Sequence, residues 1–77
     1  MNKLRRKELE TIIAKLEEAM SALEYVREDE RGAMDNMPES LQDTDRYYAM
    51  EEAVDGMDSA GDTIQEAIDA IQDVIDA

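Results

Sequence analysis

The chain has 77 residues, no cysteine, no histidine, and a formal net charge of −13 from 21 acidic and 8 basic side chains. Disulfides, thiolate chemistry and nearly all zinc sites are thereby excluded. The acidic balance also argues against nucleic-acid phosphates or anionic membrane surfaces as direct partners. A chain this short lies near the lower size limit for a self-sufficient core. With disulfide and metal unavailable, pairing with a second copy is the remaining way to enlarge that core, so a homodimer or higher oligomer is expected.

The first residues, Met1-Asn2-Lys3-Leu4-Arg5-Arg6-Lys7, are basic but are followed by no apolar signal region. No apolar run is long enough to cross a bilayer, and the expected location is cytoplasmic. The spacing predicts a first helix over about residues 3–31. Leu9, Leu16 and Leu23 recur every seven residues, flanked by Ile12, Ala19 and Val26 and by Ile13 and Met20, with Glu10, Glu17 and Glu24 outside. The pattern weakens at Arg27 and Glu30, and Arg31-Gly32 reads as a basic last turn with its C-terminal cap. A rival reading carries the helix through Ala33 and Met34 to Asn36, because glycine inside a helix costs only ~1 kcal/mol.

A hinge over about residues 32–43 follows. Pro38 is the only proline; it lacks an N–H and disfavours helical geometry at Met37. Pro38 to Leu41 is expected to form a single turn with Leu41 folded onto the end of the core. Met34 and Met37 are the methionines expected near the surface. Asp43 or Thr44 has the chemistry to cap the second helix.

That second helix, about residues 44–76, carries the clearest pattern. Tyr47, Val54, Gly61, Ile68 and Ile75 alternate with Met50, Met57, Ile64 and Ile71 in steps of three and four, the seam of a packed helix. Beside it run two small-residue lanes, Ala53, Ala60, Ala67, Val74 and Ala49, Gly56, Thr63, Ala70, Ala77. The opposite arc is acidic, with Asp55, Asp62, Asp69 and Asp76 in one lane and Glu51, Glu52, Asp58, Glu66 and Asp73 beside it. Gly61 either opens a notch in the bulky lane or admits a large residue such as Met20. An antiparallel hairpin also brings Lys3, Arg5, Arg6 and Lys7, which oppose the dipole of their own helix, towards Asp69, Asp73 and Asp76.

The expected fold is therefore all-α. It is an antiparallel two-helix hairpin forming one domain over residues 1–77, pairing through the small-residue strip into a homodimeric four-helix bundle. Catalysis is not expected, because the usual acid–base and nucleophile pairs are missing and carboxylates on open helix faces have no cleft to shift their pKa. Asp43-Thr44-Asp45 resembles the opening of a calcium loop but lacks its glycine and further oxygen ligands, so no metal and no cofactor are expected.

Two surfaces remain as candidates. Charge on the exposed side of an amphipathic helix is ordinarily a solvated face. Residues 31–77, however, hold 13 acids against only Arg31 and Arg46. A helix of this length extends about 45 Å. Its one-sided carboxylate row, carried by Asp55, Asp58, Asp62, Glu66, Asp69 and Asp73, suits a basic protein surface that otherwise holds nucleic acid. The second surface is a corner made by Ser40, Thr44, Arg46, Tyr47 and Tyr48. There a helix N-terminus, a cation, hydroxyls and aromatic planes suit an anionic ligand such as a nucleotide; the alternative places Tyr47 in the seam and Tyr48 at its rim.

Asp35-Asn36-Met37-Pro38-Glu39-Ser40-Leu41-Gln42, followed by Arg46 and Met50-Glu51-Glu52-Ala53, resembles the hinge of short helical-hairpin proteins encoded by bacteriophages, prophages and mobile elements of Firmicutes-type bacteria. Those proteins also begin with a basic stretch like Asn2 to Lys7 and end in an acidic helix. The resemblance implies a setting rather than a reaction: small accessory phage proteins often bind and block a host protein, sometimes a defence enzyme or its nucleotide signal. The leading expectation is a non-enzymatic inhibitor acting through its acidic helical face. The alternatives are a sponge for a nucleotide signal at the hinge corner, or a purely structural assembly subunit.

Overall fold

The computed structural model describes residues 1–77. Two long helices, α1 (Lys3–Asp35) and α2 (Asp45–Asp76), pack against each other as an antiparallel hairpin, with a short 3-10 turn at Glu39–Leu41 between them. Asn2 opens α1, its side-chain oxygen accepting the Arg5 N–H at 2.8 Å. Thr44 opens α2, its hydroxyl accepting the Tyr47 N–H at 3.4 Å and donating to the Leu41 carbonyl at 2.7 Å. No helix is long and apolar enough to cross a membrane.

The seam is a strict alternation of three- and four-residue steps in both helices. In α1 and the residue pair beyond it, the shielded positions are Leu9, Ile13, Leu16, Met20, Leu23, Arg27, Glu30, Met34 and Met37. In α2 they are Tyr47, Met50, Val54, Met57, Gly61, Ile64, Ile68, Ile71 and Ile75, while Gly32 and Ala67 beside the seam are also partly shielded. A seven-residue repeat held this long keeps one stripe of each helix facing the other, the pattern that gives left-handed supercoiled pairs. Only Ile13, Met34, Val54 and Ile68 are fully buried. The molecule is a rod, 60 × 15 × 12 Å, with a radius of gyration of 17.5 Å, against about 11–12 Å for a compact chain of this length. Its core is one seam deep.

Several expectations change at this level. Helix α1 does not stop at Gly32. It continues to Asp35 and is capped by Asn36, whose N–H donates to the Gly32 carbonyl, and no residue adopts a positive φ. Met34 explains the extension, because it is one of the four buried side chains and belongs to the seam. Burial of a methionine, roughly 1.5–3 kcal/mol, outweighs the ~1 kcal/mol cost of a helical glycine. Met34 is thus core rather than surface, and Met37 is half-buried. Arg27 and Glu30, where the apolar pattern weakens, hold true seam positions. Leu41 is not folded onto the core and remains 46% exposed; Gln42 turns inward instead, its side-chain amide donating to the Met37 carbonyl at 3.1 Å.

The basic first turn also behaves differently from expectation. Neither Lys3, Arg5, Arg6 nor Lys7 makes an ion pair; every ion pair in the chain belongs to Arg27. Counting outward from the Arg27–Asp58 pair places Ala77 level with Glu8. The basic turn therefore projects past the last residue of α2, and Leu4 within it is exposed.

Candidate functional site

The hairpin has two broad faces, and side chains across the seam show which lanes share each one. One cleft, about 200 Å³, is lined by Met20, Leu23, Glu24 and Arg27 of α1 with Met57, Asp58, Gly61 and Asp62 of α2. A second lies nearer the hinge, between Arg31, Met34 and Asp35 on one side and Tyr47, Glu51, Val54 and Asp55 on the other. Both clefts open on the same side, so the lane Glu10, Glu17, Glu24, Arg31 of α1 borders the lane Glu51, Asp58, Gln65, Gln72 of α2. The flanking lanes not represented there share the other side. These are Ile12, Ala19, Val26 and Ala33 of α1, next to Ala53, Ala60, Ala67 and Val74 of α2.

The first face is acidic. Asp55, Asp58, Asp62, Glu66, Asp69 and Asp73 are all exposed. They do not converge: no group of acidic side chains comes together closely enough to hold a metal ion. Along the axis the acids of α2 recur about every 5 Å, from a rise of 1.5 Å per residue, which is within a factor of two of the 3.4 Å phosphate repeat of one DNA strand. Two of the carboxylates have partners inside the chain. Asp58 receives Arg27 at 3.2 Å, and Asp69 accepts from the Gln65 amide at 3.0 Å. The Arg27 guanidinium also pairs with its neighbour Glu28, while its stem lies in the seam, a common use of a long cationic side chain.

Sequence periodicity missed two contributors to this face. Glu24 and Arg27 come from α1, yet they line the same cleft as Asp58 and Asp62. The acidic surface is therefore shared by both helices. The signal that identifies them is the antiparallel seam itself, once Arg27 is counted as a seam residue.

No family model, no curated protein and no solved structure matches this chain. Its surfaces are consequently read on their own chemistry.

The hinge corner is less concentrated. Thr44 spends its hydroxyl on the helix cap and on the Leu41 carbonyl. Tyr47 enters the seam and lines the second cleft, and its ring meets Tyr48 edge-on with centroids 6.1 Å apart. The Tyr48 hydroxyl donates to Asp43 at 3.2 Å. That hydrogen bond, reinforced by the negative charge of Asp43, raises the Tyr48 pKa above its ordinary value of 10.0. Ser40 and Arg46 are exposed and line neither cleft; Arg46 shares its lane with Ala53 and Ala60, on the apolar face. The five residues share one end of the rod without enclosing a common cavity, and a carboxylate occupies the hydroxyl nearest to them.

Proposed function

We propose that this chain is a non-enzymatic accessory protein of phage type, one that binds a basic host protein and competes with nucleic acid for it. The observation that carries the reading is the charge segregation of α2. Every acid from Asp45 to Asp76 is exposed, and Arg46 is the only cation in that helix. An ordinary solvated surface mixes both signs. Here exposed carboxylates, of which Asp58 alone has a cationic partner, line one side of a rod 60 Å long, a geometry that presents negative charge as a nucleic-acid backbone does. The hinge residues Asn36 to Gln42, which resemble those of phage-encoded hairpins, support the setting.

The roles follow from position. Asp55, Asp62, Glu66, Asp69 and Asp73 present carboxylates to lysine and arginine side chains of the partner, and Asp58 joins them through its exchangeable pair with Arg27. Such binding is driven by complementary charge and weakens steeply with salt. The test is competition for nucleic-acid-binding proteins purified from a bacterial host on a duplex-DNA resin. The wild-type chain is expected to displace a subset of them at low salt, and the D62K/D69K variant to displace none. Equal displacement by both, or none by either, would sink the proposal.

A further inference from the structure

The second broad face of the hairpin has chemistry opposite to the first. Its flanking lanes contain no carboxylate in a chain that has 21, and they leave Ile12, Val26 and Val74 exposed at 43%, 54% and 47%. Alanines fill the positions between them, and no cleft indents this side. The two helices by themselves fully bury only four residues, so the hairpin's own core is thin.

We infer that this face is where a second copy of the chain docks, giving a four-helix assembly with both acidic faces turned outward. Three observations select a second copy as the occupant. The first is area. A face 60 Å long and 15 Å wide covers on the order of 900 Å², close to the ~800 Å² per partner of a stable interface. The second is charge. Two molecules of net charge −13 repel wherever carboxylates meet, and this is the one broad face where they do not. The third is shape. The α1 lane alternates Ile12 and Val26 with Ala19 and Ala33, and the α2 lane runs Ala53, Ala60, Ala67 between Arg46 and Val74. Under a two-fold axis along the rod, α1 of one copy lies on α2 of the other, and the register set by Arg27 and Asp58 then brings Val26 beside Ala60 and Ile12 beside Val74, so apolar side chains meet apolar ones. The interface is isologous, so it closes at two copies and does not propagate.

This inference is independent of the acidic-face reading, and its test leaves that face intact. Solution mass by light scattering is expected to be twice the chain mass of 8.7 kDa, at both low and high salt. Val26→Glu on α1 and Ala60→Glu on α2 each place a carboxylate in the interface at a position exposed in the single hairpin, so helical circular dichroism is retained. Each should raise the dimer dissociation constant at least ~100-fold, the scale of burying an unpaired polar group. Gln65→Glu adds the same charge on the acidic face and should leave the dimer unchanged. A wild-type monomer across the concentration range overturns the inference. So does a dimer indifferent to V26E and A60E, which would place the contact elsewhere.

Discussion

Gly61 offers the sharpest test of the hairpin's packing. It sits at a seam position of α2, level with Glu24, and lines the mid-rod cleft together with Met20, Leu23 and Met57. A methyl group built on it meets no atom within 4 Å, and its φ is an ordinary helical one. Gly61→Ala therefore adds no clash and removes the ~1 kcal/mol helical penalty of glycine. For a chain of 77 residues, a gain of that size raises Tm by roughly 4–8 °C. Gly61→Leu goes further, because it places a branched side chain in the cleft. A fully buried leucine contributes about 1.5–3 kcal/mol, and a cleft open on one side returns about half of that, in addition to the helical gain. The assay is thermal and urea unfolding followed by circular dichroism at one fixed protein concentration. An unchanged or lowered Tm for G61A would refute the reasoning, since it would mean that the helices approach more closely at residue 61 than this packing has them.

Other changes probe the ends and the polar seam. Arg27→Met keeps the stem packing and sets an apolar end in the seam, a gain that exceeds the about 0–1 kcal/mol of the partly exposed ion pair it gives up; it is expected to raise Tm slightly, whereas Arg27→Ala lowers it by stripping the stem from the seam, and both are read by the same unfolding curves. Thr44→Ala removes the cap of α2 and the anchor on Leu41, costing about 1 kcal/mol, and Thr44→Ser restores most of it. Tyr48 is held protonated by Asp43, so its contribution to folding is fully present below the unfolded-state value of 10.0 and is lost as pH rises through the higher folded-state value. Phenolate absorbance should show one tyrosine titrating late, and Asp43→Asn should bring its midpoint back towards 10.0.

How much of this was legible in the residues alone differs from one element to the next. The α2 seam is readable because all nine of its positions from Tyr47 to Ile75 are apolar or glycine, and a period of three and four has one physical meaning. Thr44 is readable as a cap because its hydroxyl is a ready acceptor just before the periodic residues begin. The end of α1 is harder. Gly32 and Pro38 both punctuate, and local propensity does not say which prevails; the burial of Met34 against α2 decides it, and burial is a tertiary fact. Arg27 misleads for the same reason, because a charged residue in a seam is visible only once Asp58 stands across from it. The lane of Ile12, Ala19 and Val26 reads as a flank of the Leu9, Leu16, Leu23 lane, and in the folded hairpin it flanks the seam, with Ile12 and Val26 exposed. Of the acidic residues, the α2 row could be named from its spacing. The contribution of Glu24 could not, because it depends on which lanes of the two helices come to share a face.

That last dependence has a wider consequence. In an antiparallel pair, corresponding flanking lanes of the two helices meet on the same side; in a parallel pair each meets the opposite lane of its partner. With this sequence, a parallel arrangement would set Ile12, Ala19 and Val26 beside Glu51 and Asp58, and Glu10, Glu17 and Glu24 beside Ala53 and Ala60. Both faces would then carry mixed acid and apolar side chains, and neither would be uniform. The residues between Asp35 and Asp45 form a short link, and short links join antiparallel neighbours. The hinge thus does more than reverse the chain. By enforcing the antiparallel arrangement it brings the acidic flanking lanes together on one side and the apolar flanking lanes together on the other, so that one face carries the carboxylates and the opposite one is apolar up to Arg46 at the hinge end.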